Sequence, residues 1–294
     1  MSLTFPHRRD VLLGAGAAAA TVLGQASAHP GNVRPPAQYQ LGIVTYNIAA
    51  NWDVPTILRV GQNVGLQAVE LRTTHKHGVE PSLSAPERAE VKSRFRDAGI
   101  TLWGLGTVCE FHSPDTAVVQ KNIETCKEFL QLAADVGATG VKVRPNGLPR
   151  EVPVEKTLEQ IGKALSVCGE TAASLGQEIW VEVHGPGTAH PPHVKTIMES
   201  CNHSRVGVTW NSNLKTDLKD GSVRPYFDLL RPWLKSCHIN ELFNSYPYRE
   251  LFSLLRTTNY DRVTLVEIPQ KLDPAAGELL LRYYKRLWQE WTTG

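Results

Sequence analysis

Eight short runs of β-type residues recur along this chain with helical patterns between them, and few folds accept that alternation. The runs are 41–46, 67–72, 101–107, 139–144, 178–184, 206–211, 235–240 and 262–268. A strand-plus-helix unit repeated eight times predicts an α/β chain whose parallel strands close into a single (β/α)8 barrel, the TIM barrel. An open doubly wound sheet is the structural alternative. No Gly-x-Gly-x-x-Gly follows the first run, which argues against a dinucleotide-binding form of that sheet.

The helix signals are local. A first helix begins near Asp53 with Pro55 in its first turn. Ser84-Ala85-Pro86-Glu87 reads as a capping box with proline early in the helix. A third helix starts at Ser113-Pro114-Asp115 and runs to about Val136, and a fourth spans 154–175 with Leu158, Ile161 and Leu165 at helical spacing. Further helices are expected near 191–201, 224–231, 247–257 and 274–292.

Residues 1–28 read as a targeting segment. Arg8-Arg9 precedes an apolar stretch that runs to about Leu23, and Ala26-Ser27-Ala28 is a small-residue cleavage site. That combination predicts a twin-arginine export signal, with an ordinary secretory signal as the alternative, and a periplasmic or secreted mature protein. The apolar stretch is short and rich in Ala and Gly for a membrane span. Residues 29–40 read as a flexible leader, and 41–292 as the barrel. After removal of the signal no membrane attachment is expected.

Lys and Arg number 31 against 29 Asp and Glu, so the charge balance gives no case for nucleic acid or an anionic membrane as partner. Cys109, Cys126, Cys168, Cys201 and Cys237 are odd in number and contain no C-x-x-C pair, so they do not read as a disulfide framework.

Four runs in the second half end on metal-binding residue types. They are Ile179-Trp180-Val181-Glu182, Val206-Gly207-Val208-Thr209-Trp210-Asn211, Ser236-Cys237-His238 and Val263-Thr264-Leu265-Val266-Glu267. In a closed barrel these positions share the C-terminal rim, where active sites of this architecture lie. Two carboxylates, an imidazole and an amide oxygen suit a hard or borderline divalent ion such as Mn, Mg, Co or Zn.

Side chains two apart on a strand share a face. His184 therefore accompanies Glu182, Asn211 accompanies Thr209, and Asn240 accompanies His238. Lys142 and Arg144 share a face near the end of the fourth run. An ion pair with Glu70 or Glu182 is one role for these two cations, and an anionic oxygen of a substrate is the other. His75, His77, Glu110 and His112 follow the second and third runs and are expected around the same mouth. Trp52, Trp103, Trp210 and Tyr46 are candidates to stack on a ligand ring, although core packing suits Trp103 better.

The segments Val181-Glu182-Val183-His184-Gly185, Cys237-His238-Ile239-Asn240-Glu241 and Val266-Glu267 resemble the fifth-, seventh- and eighth-strand motifs of the xylose-isomerase-like barrel superfamily, the sugar isomerase and epimerase group. The resemblance covers about residues 41–292. It departs at the sixth strand, where the superfamily typically has Asp and this chain has Asn211, with Asn213 as a substitute donor. An Asn contributes an oxygen but no charge.

The resemblance implies a metal-dependent isomerase or epimerase acting through an enediolate on a small carbohydrate. Export favours an unphosphorylated sugar or sugar derivative. Glu182 and Glu267 would transfer protons, Lys142 and His184 would stabilise oxyanion charge, and Arg144, His75, His112, Asn240 and Trp210 would contact substrate. Glu241 would orient His238 or its neighbours. The alternatives are a lyase that eliminates the aglycone of a 3-keto-glycoside, and a barrel that only binds sugar. Phosphodiester hydrolysis, as in the related endonuclease IV-type enzymes, fits poorly with Asn211-Ser212-Asn213-Leu214 and with near-neutral charge. A homo-oligomer is compatible with the sequence.

Overall fold

The computed structural model describes residues 37–293, and the expected signal segment lies outside them. Eight parallel strands close a barrel in sequence order, β1-β2-β3-β4-β5-β6-β7-β8. They are β1 (Gln40–Asn47), β2 (Ala68–Arg72), β3 (Thr101–Gly106), β4 (Gly140–Val143), β5 (Glu178–Glu182), β6 (Val206–Trp210), β7 (Leu234–Ile239) and β8 (Val263–Ile268). Closure is made by β1 on β8, with Gly42 opposite Leu265 and Ile43 opposite Val266. Each expected strand is present, with ends shifted by one or two residues.

The helices fall where their caps predict. They are α1 (Val54–Val64), α2 (Ala85–Ala98), α3 (Thr116–Val136), α4 (Val154–Ser174), α5 (Pro191–Cys201), α6 (Arg224–Leu230), α7 (Tyr248–Thr257) and α8 (Pro274–Thr293). Asp53 caps α1 through Thr56 N–H, Asp115 caps α3 through Ala117 N–H, and Ser84 with Glu87 forms the capping box of α2. The sixth helix is shorter than expected, and the chain tightens into a 3-10 turn at Arg231–Trp233. Tyr39 is buried and donates its hydroxyl to Phe252 O, so the end of the expected leader packs with the barrel.

Two apolar regions result from strand alternation. One set of side chains, including Ile43, Leu71, Val141, Val181, Val208 and Val266, faces the helices. The other set fills the barrel: Val44, Ala68, Trp103, Trp180, Val263 and Leu265. Trp103 and Trp180 stack with centroids 5.0 Å apart. Gly104 makes room for them, since a Cβ there would lie 2.5 Å from the Trp180 ring. The Arg262 guanidinium lies over Trp103 and pairs with Glu178. This plug closes the N-terminal end and leaves polar side chains to occupy the other. All five cysteines are free and buried.

Candidate metal centre and its cavity

The polar layer lies just above the tryptophan plug. Glu182 ends β5, His238 lies one residue from the end of β7 and Glu267 one residue from the end of β8. One ligand atom from each lies within 4.8 Å of the others. His238 Nδ1 is 3.8 Å from Glu182 Oε1 and 3.7 Å from Glu267 Oε2, distances too long for hydrogen bonds. Nδ1 is buried and has no hydrogen-bond partner among the described residues. Asn211 Oδ1 is likewise buried and unpartnered. Its neighbours fix the backbone beneath it: Asn240 Nδ2 donates to Asn211 O at 3.1 Å, and Ser212 Oγ donates to His238 O at 2.8 Å.

Glu70 reaches His238 from across the barrel. Its Oε2 lies 3.2 Å from His238 Nε2, and both side chains are fully buried. With Nε2 donating a hydrogen bond to Glu70, Nδ1 faces Glu182 and Glu267 and would offer its lone pair once a cation displaces its proton, the arrangement by which a carboxylate orients a metal-binding histidine. An imidazole nitrogen and two carboxylates that converge, with an unpartnered amide oxygen in the wall of the same cavity, fit a divalent cation.

Lys142 Nζ lies 2.6 Å from Glu182 Oε2, with both side chains buried. Burial works against the charge on each. For Lys142 this is outweighed by Glu182, Glu70 and Glu267, which raise its pKa. For Glu182 burial is outweighed by Lys142 and His238, which hold its carboxyl well below the usual range. Burial alone would lower the His238 pKa, but Glu70, Glu182 and Glu267 together hold it well above the usual histidine value. The metal-free centre therefore retains a proton that a cation would displace.

A cavity of about 420 Å³ opens above this centre. Its wall includes Lys142, Arg144, His184, Asn211, Asn240 and Tyr46, all expected at the site, and Arg72, which was not. Arg144 Nε donates to Glu110 at 2.8 Å, so neither Glu70 nor Glu182 is its partner. Asn213 also lines the cavity, but its amide is tied to Val183 O at 2.6 Å.

Four expectations need correction. Trp210 does not face the cavity. It alternates with inward Thr209 and Asn211, so its ring packs against Phe227 and its Nε1 donates to Tyr246 Oη at 2.9 Å. His75 is absent from the cavity wall; its loop folds back over β1, with Nδ1 3.2 Å from Thr45 Oγ1. His112 is absent too, because Gln160 of α4 donates to Phe111 O and Ser113 O, both at 2.8 Å, and holds that segment against the helix. Glu241 lines the cavity but accepts from Gln270, and Glu70 is the residue that orients His238.

Glu70 and Arg72 carried a signal in the sequence. Ala68-Val69-Glu70-Leu71-Arg72 alternates as the other strands do, and that rule alone turns both inward.

Solved structures share this architecture at low sequence identity. One is D-psicose 3-epimerase in the presence of D-fructose, at TM-score 0.73 and 15% identity, covering 87% of this chain and 100% of that one. The 3-keto-D-glucoside 4-epimerase of E. coli matches at TM-score 0.69 and 14% identity, covering 85% and 99%. The IolI protein, solved with a bound zinc atom, matches at TM-score 0.68 and 14% identity, covering 86% and 98%. Among curated proteins none matches. The family model described as xylose isomerase-like TIM barrel matches residues 58–213, so with its closed eight-stranded barrel this chain belongs to the xylose isomerase-like TIM barrel family.

Proposed function

We propose that this protein is a divalent-metal-dependent sugar isomerase or epimerase that removes a proton from a carbon beside a carbonyl. The observation that carries this is the convergence of Glu182, His238 and Glu267 at a cavity of about 420 Å³, with Asn211 Oδ1 buried and unpartnered in its wall. When bound, the ion would act as a Lewis acid toward the negative charge that develops on substrate oxygens. Structural neighbours that are sugar epimerases support the same reading.

The two glutamates differ in what they can do. Glu182 is locked onto Lys142 and is held ionised, which makes it a weak base and a good anchor. Glu267 carries no such clamp and its side chain is 15% exposed, so it is the better placed proton acceptor. Lys142 and His184, both in the cavity wall, supply positive charge and hydrogen-bond donors for the developing oxyanion. Export of the folded chain to the periplasm or beyond rests on Arg8, Arg9 and Ala26-Ser27-Ala28, and favours an unphosphorylated sugar or sugar derivative.

The test is deuterium uptake. The manganese-loaded protein is incubated in D2O with a panel of unphosphorylated ketoses and 3-keto-glycosides. One carbon-bound deuterium should enter a substrate, and Glu267→Gln should slow that uptake by about 10²–10⁴-fold. Turnover without exchange and without a C–H isotope effect would remove the proton-abstraction reading. Product analysis on the 3-keto-glycosides separates epimerisation from elimination of the aglycone.

A further inference from the structure

Three cationic side chains stand in the cavity wall, Arg72, Lys142 and Arg144. Two of them have carboxylate partners: Lys142 has Glu182 and Arg144 has Glu110. Arg72 has none within ion-pair distance among the described residues. Its Nη1 donates only to the carbonyl of the next residue, Thr73 O, at 2.9 Å.

The position is built by the strands. Arg72 ends β2 and lies opposite Gly106 of β3, which in turn lies opposite Lys142 of β4. Gly106 has no side chain of its own, and the Glu70 carboxylate takes the space a Cβ there would fill. The Arg72 guanidinium therefore shares the β2–β4 side of the cavity with two other cations. Partial burial and the nearby Arg144 charge work against the charge on Arg72, while Glu182 and Glu70, both beyond ion-pair distance, favour it. A half-buried guanidinium with no carboxylate in direct contact keeps hydrogen-bonding capacity for an anionic ligand.

Glu182 is already engaged by Lys142 and Glu110 by Arg144, and neither carboxylate is within ion-pair distance of Arg72. Arginine presents a planar fork that binds a carboxylate through two parallel hydrogen bonds. One unpaired guanidinium matches one negative charge, which suits a carboxylate better than a phosphate dianion. Tyr46, also in the wall, adds a hydroxyl.

We propose that Arg72 is a subsite for a carboxylate on the substrate, so that the substrate is a sugar acid rather than a neutral sugar. The assignment of a sugar as substrate rests on the function proposed above; the carboxylate subsite itself is a separate property of Arg72.

Calorimetric titration of the manganese-loaded protein tests it, with D-glucuronate, D-galacturonate, D-glucose, D-galactose and D-glucose 6-phosphate as probes. At least one uronate should bind tighter than its neutral counterpart by about tenfold or more, the worth of a charged hydrogen-bonded contact. Arg72→Gln should shrink that ratio to about twofold or less, while the manganese stoichiometry stays unchanged. The same titrations on metal-free protein separate Arg72 from direct capture of the carboxylate by the ion: there the uronate preference should persist and still require Arg72.

A neutral sugar binding as tightly as its uronate, a preference that survives Arg72→Gln, or no binding of any probe at millimolar concentration would overturn the proposal. Tighter binding of the phosphate, lost in Arg72→Gln, would assign the subsite to a phosphoryl group instead. Uronate preference without deuterium uptake in any substrate would leave Arg72 standing and remove the isomerase. Deuterium uptake into a neutral ketose without uronate preference would do the reverse.

Discussion

Glu70 Oε2 lies 3.2 Å from His238 Nε2, and this contact across the barrel turns His238 Nδ1 toward Glu182 and Glu267. The two residues belong to β2 and β7, which are not neighbours in the barrel. Their meeting depends on Gly106, because a Cβ at that position would lie 2.7 Å from Glu70 Oε1. Glu70→Ala should therefore lower divalent-metal affinity by about 10–100-fold, the usual cost of losing the partner that orients a histidine ligand. Metal titration followed by tryptophan fluorescence reads this out, with circular dichroism as the control for folding. Gly106→Ala should act in the same direction, through displacement of Glu70. Unchanged affinity in Glu70→Ala would mean that the contact does not orient the ligand.

Lys142 and Glu182 form a buried pair at 2.6 Å. Lys142→Met leaves the Glu182 carboxylate buried near Glu70 and Glu267 without its cation. The metal-free variant should lose about 3–5 kcal/mol of stability by denaturant unfolding. Added manganese should restore more stability to the variant than to the parent, because the ion then carries the positive charge the site lacks.

Asp217 governs a different loop. It is fully buried between β6 and α6, and its Oδ2 accepts from Asn213 N–H at 2.7 Å and from Tyr246 Oη at 3.2 Å. Burial raises its pKa to about 7, against the lowering effect of those hydrogen bonds. The folded state therefore binds more protons than the unfolded chain between about pH 4, the unfolded aspartate value, and about pH 7. Stability from this group is complete below that window and is lost as pH rises through it. Asp217→Asn keeps an acceptor for both donors and removes the titration. Denaturant unfolding across that window should show a flatter pH dependence in the variant, which should gain on the parent above the upper limit. An unchanged slope would place the pH dependence elsewhere.

The parts of this protein that were legible in its sequence are those set by short-range periodicity. Alternation along single strands placed Glu182, His184, Asn211, His238, Asn240 and Glu267 on one rim, and the cavity wall or the buried centre contains each of them. The same rule applied to Trp210 turns it outward, and applied to Glu70 and Arg72 turns them inward. His75 and His112 lie beyond strand ends, where no period constrains the chain and the path is fixed by remote partners such as Gln160 and Thr45. The Glu70–His238 contact was illegible for another reason. It spans the barrel's width and depends on a missing side chain at Gly106, which no local pattern announces.

Whether Glu182, His238 and Glu267 hold a divalent ion together is read most directly from metal content. The purified protein is dialysed against limiting manganese and analysed for metal per chain, beside His238→Ala and Glu267→Gln variants of verified fold. One ion per chain is expected in the parent. Loss of most of it is expected in His238→Ala, with weaker binding in Glu267→Gln. A parent that binds no divalent ion, or a His238→Ala variant that binds as well as the parent, would contradict the account.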